Sequence, residues 1–264
     1  MATDPDIYEN ADFGYDPTIE ETVELHAPEE RPALPVSAHV DFTYLPPVGK
    51  QTTPSCTAWA STYGLATFTA ARAGGYSPRS PSQQASPAYI YIQVMQEDNQ
   101  SQSCVGSGLS SYVSILDQSG TATMEQAPEE PCSSMWQSYG GQTITPDAAF
   151  NIGTVRAVKS TDLDSIKTII VQGGAMAYGT RLYTDFGRYR GTPPVYVGNG
   201  KILKNKKTHR PAGHCMLIIG YDDTAGALLI QNSWGPTWGL DGRVWMAYDT
   251  FTALAQGTVL YVKS

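Results

Sequence analysis

Three short segments carry side chains able to do nucleophilic chemistry. In Gln51-Thr-Thr-Pro-Ser-Cys56-Thr-Ala-Trp-Ala, a cysteine stands where a helix opens. The thiolate is the reactive form of cysteine, and the positive end of a helix dipole favours it. In Gly213-His214-Cys215-Met-Leu-Ile-Ile-Gly-Tyr221, a histidine sits at the mouth of an apolar strand, and its ring can gain or lose a proton near neutral pH. In Gln231-Asn232-Ser233-Trp234-Gly235-Pro-Thr-Trp238-Gly239, a side-chain amide precedes two Trp-Gly pairs. Taken singly, each has an ordinary structural explanation. Cys56 suits a small buried hydrophobe, His214 a satisfied strand residue, and 231–239 a strand end with core tryptophans. Taken together they supply a nucleophile, a base and a group to orient the base.

Two kinds of element must hold these residues. A helical pattern follows Pro54 in CTAWASTYGLATFTAARAGG, with Pro54 and Ser55 at its start and Gly74-Gly75 at its end. Further helices are expected at 87–96, at 109–118 (stopped by Gly120) and at 162–172. After about residue 174 the character changes. AMAYGTRLY, CMLIIGYDD, GALLIQNSW, GRVWMAYD and GTVLYVK read as strands of an antiparallel sheet or barrel. Helices first and strands later indicate an α+β chain with segregated lobes.

The order Gln51, Cys56, His214, Asn232-Ser-Trp-Gly, with 158 residues from Cys56 to His214 and 18 more to Asn232, resembles the papain-like cysteine peptidases. Other segments match in order. Ser86-Pro87-Ala88-Tyr89-Ile90-Tyr91 is similar to the family's Leu-Ser-Glu/Pro helix, with Ala85 in place of Leu. Cys104-Val105-Gly106-Ser107, with Gly120 beyond it, resembles the Cys-x-Gly-Gly turn. Asp185-Phe186-Gly-Arg-Tyr189-Arg-Gly191 resembles Asp-Phe-x-x-Tyr-x-x-Gly, its last Gly one residue early. The likeness covers about residues 38–262. The family usually has Gln-Gly-x-Cys-Gly-Ser-Cys-Trp. Here that loop is one residue shorter, its upstream Cys is missing, Thr57 replaces Trp, and Ser107 replaces the second Gly of the turn. None of these departures removes a group the chemistry requires.

The resemblance implies a two-lobed α+β fold with the active-site cleft between a helical left lobe (about 48–150) and an antiparallel β-barrel right lobe (about 37–47 plus 151–264). It implies a cysteine endopeptidase in which Cys56 attacks to form a thioester acyl-enzyme. His214 serves as base and acid, and Asn232 orients the imidazole under a roof of Trp234. Gln51 and the backbone N–H of Cys56 become the oxyanion donors, one such donor being worth about 3–4 kcal/mol. Gly106 and Ser107 would pair antiparallel with substrate, and Trp238 joins Trp234 in the substrate-binding set. By position, Ala177, Tyr178 and Gly213 would shape the S2 pocket, which suits an apolar P2 residue. No cofactor and no metal are expected. Cys104 and Cys132 match family cysteines that are normally disulfide-bonded, each to a different partner. Joined to one another they would close a loop of about 28 residues, worth ~3–4 kcal/mol in the chain-entropy picture; two reduced thiols are the alternative. Cys215 is expected to turn into the core as an inert thiol.

The resemblance implies peptide or protein substrates, and the charge distribution speaks against nucleic acid. Of the net −8, ten acids and no Lys or Arg lie in residues 1–30, which leaves the rest at +2. A basic footprint for nucleic acid is missing, and no apolar run is long enough to span a membrane. Residues 1–36 read as an extended acidic leader, a possible short propeptide ahead of a peptidase domain at 37–264. Its acids could dock on Lys201, Lys204, Lys206, Lys207 and Arg210, and deleting it should raise activity. A monomer is expected. No signal peptide is visible; a Cys104–Cys132 disulfide would favour a secreted or periplasmic site. The alternatives are a non-catalytic papain-like binding protein, although those usually lose the Cys or the His, and a peptide ligase or other Cys-His amidohydrolase.

Overall fold

The computed structural model describes residues 12–19, 22–98, 104–141 and 144–263. Helix α1 begins as Cys56–Ala58, widens into a π-helical stretch Trp59–Ala66 and finishes as Thr67–Gly74. Every residue of Trp59–Ala66 is buried, as expected of a helix apolar on all sides. Gly75 ends it at φ 67°, the left-handed conformation that glycine takes without penalty. Helix α2 (Pro87–Glu97) starts with Pro at its first turn and Ser86 accepting the Tyr89 N–H at 3.1 Å. Helix α3 spans Leu109–Gln118, and α5 spans Leu163–Val171 behind an Asp162 cap. Two helices escape the pattern reading. Helix α4 (Cys132–Tyr139) buries only Met135 and Tyr139, and α6 (Tyr248–Leu254) is one short element packed through Thr250, Phe251 and Leu254.

The strands are β1 (Ser37–His39), β2 (Val155–Lys159), β3 (Met176–Arg181), β4 (Val195–Tyr196), β5 (Gly213–Asp222), β6 (Ala227–Gln231), β7 (Arg243–Ala247) and β8 (Ala255–Val262). They form one sheet in the order β2-β8-β3-β5-β6-β7-β4, with β1 also on β5. The α+β reading holds, with one correction to the sheet. Its path is open rather than a closed barrel, and β4 pairs with β7 in parallel. Strand β5 is central and buried along Gly213–Tyr221, so its sequence is continuously apolar instead of alternating.

The buried side chains gather in two clusters. One lies among α2, α3, α4 and the outer face of α1. The other joins the sheet to the inner face of α1, through Cys56, Ala60, Leu65 and Phe68. Helix α1 therefore serves both lobes, and its N-terminus meets the start of β5. A Cys104–Cys132 disulfide ties the turn before α3 to the first residue of α4. Among the described residues, no helix is long and apolar enough to cross a membrane.

Candidate active site

Cys56 is the first residue of α1 and His214 the second of β5; both are fully buried. Asn232 directly follows β6. Its Oδ1 lies 2.7 Å from His214 Nε2 and accepts the Ser233 N–H at 2.8 Å. An oxygen that only accepts puts the proton on Nε2 and leaves Nδ1, which takes no other hydrogen bond among the described residues, for the Cys56 side, where the imidazole acts to lower the thiol pKa. Trp234 stacks on the imidazole at 4.6 Å and 28°, covering the His–Asn bond. Burial pushes the Cys56 thiol up. Hydrogen bonds from the Cys215 thiol and His214, the imidazole's charge and the Cys215 N–H outweigh that and bring it down to about 6.

Gln51 is locked to the segment after Asn232. Its N–H donates to Ser233 O at 2.8 Å, and its Oε1 accepts from Ser233 Oγ at 2.8 Å. The side-chain Nε2 is thereby aimed at the same point as the Cys56 N–H. That point is filled by the chain itself: Phe13 O accepts from Gln51 Nε2 at 3.0 Å and from Cys56 N at 2.9 Å. The Phe13 ring packs against His214 (5.4 Å) and Trp234 (5.1 Å). Gly14 O then accepts from Thr57 Oγ1 at 2.8 Å and Ser107 N at 3.2 Å, and Asp16 N donates to Ser107 O at 3.3 Å. Tyr15 bridges Gly213 antiparallel and Ser107 in parallel. Gly14 is at φ +107°, and a Cβ there would lie 2.2 Å from Pro54 O, so only glycine passes over this loop.

Cys56, His214, Asn232, Gln51, Gly106, Ser107, Gly213 and Trp234 thus surround one cleft. Four other expectations are corrected. Tyr178 points into the core against Phe251 at 5.0 Å, because alternation along β3 turns it away from the cleft. Ala177 is fully buried in the sheet cluster. The β3 residue that faces the cleft is Gly179, where a Cβ would meet the Tyr15 ring at 2.2 Å. Trp238 is a buried buttress. It donates to Phe186 O at 3.2 Å and meets Trp234 edge-on at 5.4 Å. Cys215 is buried as expected but not remote: its thiol and its N–H help to lower the Cys56 pKa, and its sulfur accepts from Thr57 Oγ1 at 3.6 Å, since the core face of β5 lies beneath the first turn of α1.

The leader passes beside the basic cluster, and the charge of Lys207 acts on the Asp12 carboxyl. Asp12 and Asp16 share a groove with Asn205, Thr208 and Arg210. Among the described residues, however, no leader acid forms an ion pair with the Lys201–Arg210 cluster; Glu29 instead pairs with Arg156 (3.8 Å) and Lys263 (3.3 Å). Asp4, Asp6, Glu9, Glu20 and Glu21 lie outside the described residues. Phe13, Gly14, Tyr15, Thr57 and Gly179 are the site residues that sequence reasoning missed. Phe13-Gly14-Tyr15 was the available signal, two aromatics around a glycine in an otherwise acidic stretch.

A sequence profile described as papain family cysteine protease matches residues 55–261. Cathepsin B-like CP3 of Giardia intestinalis is 29% identical over 168 residues, covering 60% of this chain and 50% of that protein. Cathepsin B-like CP2 of the same organism is 25% identical over 163 residues, with the same coverage. The chain thus spans about half the length of the curated relatives it matches. Among solved structures, Xylellain, a cysteine protease from Xylella fastidiosa, superposes with a TM-score of 0.71 at 21% identity, over 97% of each chain. Procathepsin L 3 of Tenebrio molitor larval midgut superposes with a TM-score of 0.68 at 17% identity, over 98% of this chain and 78% of its own.

Proposed function

The chain belongs to the papain family of cysteine proteases, and we propose that it is a cysteine endopeptidase whose own residues 12–17 occupy the substrate cleft until they are displaced. The observation that carries this reading is the Phe13 carbonyl held between Gln51 Nε2 and the Cys56 N–H. A substrate carbonyl placed there would have its carbon beside the Cys56 sulfur. Attack forms the S–C bond and sends the electron pair of the C=O to the oxygen, where the two donors receive it. His214 then gives its proton to the departing amine as the C–N bond breaks, leaving a thioester on Cys56. In the second half, His214 takes a proton from water, which attacks the thioester and restores the thiolate. Asn232 keeps the ring aligned through both halves, and Trp234 keeps water from their hydrogen bond.

The same contacts explain why the leader would survive in the cleft. A substrate in the polarity that the family resemblance implies runs antiparallel to 106–107, whereas the leader bridges Ser107 in parallel. In that reversed direction the Gly14 amine lies on the Ser107 side of Phe13 instead of facing the imidazole, so no proton reaches it. Residues 24–36 contribute differently. His26 N bonds Ala157 O (2.7 Å), Tyr221 OH bonds Pro35 O (2.7 Å) and Asp223 N bonds Val36 O (2.8 Å), which fastens them to the sheet. The occluding part is therefore shorter than the acidic leader as a whole. Tyr15, lying between Gly179 and Gly213, models an apolar or aromatic P2 side chain.

Peptide hydrolysis by the full chain, by a form lacking residues 1–21 and by each with Cys56→Ala tests the proposal. The shortened form should be faster than the full chain and should favour Phe, Tyr or Leu over Arg at P2. Both Cys56→Ala proteins should be folded and inactive. Undiminished hydrolysis in either Cys56→Ala protein would rule out the mechanism, and equal rates with and without residues 1–21 would rule out the restraint.

A further inference from the structure

The two oxyanion donors, Gln51 and the Cys56 N–H, lie at opposite ends of the segment 51–56, and the four residues between them belong to no regular element. The upstream cysteine that the resemblance leads one to expect in this loop is missing, so no disulfide tethers it. Another group does. Glu129, from the loop before α4, is partly exposed as a residue, yet its carboxylate is turned onto this segment. Oε1 accepts from Thr52 N at 2.7 Å, Thr53 N at 3.0 Å, Thr52 Oγ1 at 3.3 Å and Ser55 Oγ at 3.3 Å. Oε2 accepts from the indole Nε1 of Trp59, one turn into α1. The next residue adds a backbone contact, Glu130 O accepting from Thr53 Oγ1 at 3.2 Å. Two residues later Cys132 opens α4 under the Cys104 disulfide, which anchors the loop carrying Glu129.

We propose that Glu129 is a positioning residue for the oxyanion site: its carboxylate clamps the backbone of 52–55 against α1 and so sets the distance and direction of both oxyanion donors. Glu129 touches no substrate; it acts only through this loop. The inference rests on the peptidase reading above and adds a residue outside the Cys-His-Asn set. Burial raises the Glu129 carboxyl to about 7, while the Thr52 and Thr53 N–H groups and the Trp59 indole pull it back. A carboxyl buried at that desolvation cost, both of its oxygens facing donors, suits a clamp better than a chance surface acid. A donor displaced by about 1 Å can forfeit on the order of a hundredfold in rate, so the effect on turnover should far exceed the effect on substrate affinity.

The test uses the chain carrying Gly14→Ala as a common background, in which the strap is already weakened; any further release on displacing the donors that hold Phe13 O would raise the rate, opposite to the loss expected here. Glu129→Ala should lower kcat roughly 30- to 100-fold while KM changes less than about threefold. Affinity for a peptide aldehyde, whose hemithioacetal oxygen occupies the oxyanion site, should fall in parallel. The rate at which iodoacetamide alkylates Cys56, which needs no oxyanion donor, should stay within about twofold. Glu129→Gln should also lose activity, because its amide N–H₂ would face the Trp59 N–H. Adding Trp59→Phe removes that opposing donor and should restore most of the loss. Unchanged kcat and aldehyde affinity in Glu129→Ala, or equal loss of alkylation and catalysis, would overturn the assignment. Amide exchange at Thr52, Thr53 and Ser55 separates the two readings. If all forms were inactive, the peptidase reading would fail, but faster exchange in Glu129→Ala than in its parent would still uphold the clamp, and unchanged exchange would refute it.

Discussion

A thiol at the start of a helix and an imidazole at the start of a strand become a reactive pair only if their environment favours charge. Around Cys56 burial works against the thiolate, and Cys215 and His214 reverse that effect, to about 6. Because the pKa is lowered from the usual thiol value of 9.0, the thiolate should form as pH rises through about 6 and be complete well below 9. Thiolate ultraviolet absorbance, taken as the difference between the chain and its Cys56→Ser variant, reads this directly. His214→Ala should move the transition upward, since the imidazole's charge and hydrogen bond both act to lower it. A midpoint that stays near 6 without His214 would contradict the pairing. The residues of this centre were legible in the sequence because each sits in a short, contiguous motif. Cys215 was not legible in the same way. Alternation along a strand indicates which face a side chain takes, not which helix lies beneath that face.

At the level of elements, the proposed strap is held, among the described residues, by backbone hydrogen bonds and ring contacts without an ion pair to the Lys201–Arg210 cluster. Gly14 O takes two hydrogen bonds, Phe13 and Tyr15 fill apolar space, and Gly14 crosses Pro54 where a Cβ has no room. Gly14→Ala must either strain a positive φ or lift the strap, at a cost of about 1–2 kcal/mol, which shifts an open–closed balance roughly 5- to 30-fold. Activity of the full chain toward a small peptide should rise by that order. Raising the salt concentration should change the wild-type rate less than about twofold, because screening weakens ion pairs and leaves hydrogen bonds and ring contacts in place. A large activation by salt alone would return the acids to the leading role. Their abundance in residues 1–30 pointed that way. The contacts that matter come from three residues with no distinctive periodicity, placed by a fold that the local sequence does not encode.

For the molecule as a whole, the long central helix, α2 and the central strand follow from patterns that local physics sets: a helix closed by Gly75, a capped α2, and a largely apolar β5. Closure of the sheet does not follow, because it depends on how distant edges β2 and β4 are left, and nothing in either strand records it. Nor does the clamp at Glu129, where one acid among 25 gains its meaning from a loop more than seventy residues away. The two core clusters meet at α1, so one helix carries Cys56, the nucleophile of the proposed mechanism, and Trp59, which anchors the 52–55 loop through Glu129. The proposed mechanism requires that an acyl group pass through the Cys56 sulfur. Acid-quenched intact mass during turnover of a peptide ester by the form lacking residues 1–21 should show a single acyl adduct, mapped to Cys56 and absent in Cys56→Ala. Turnover with no adduct in Cys56→Ala, or an acyl group found on Cys215, would contradict it.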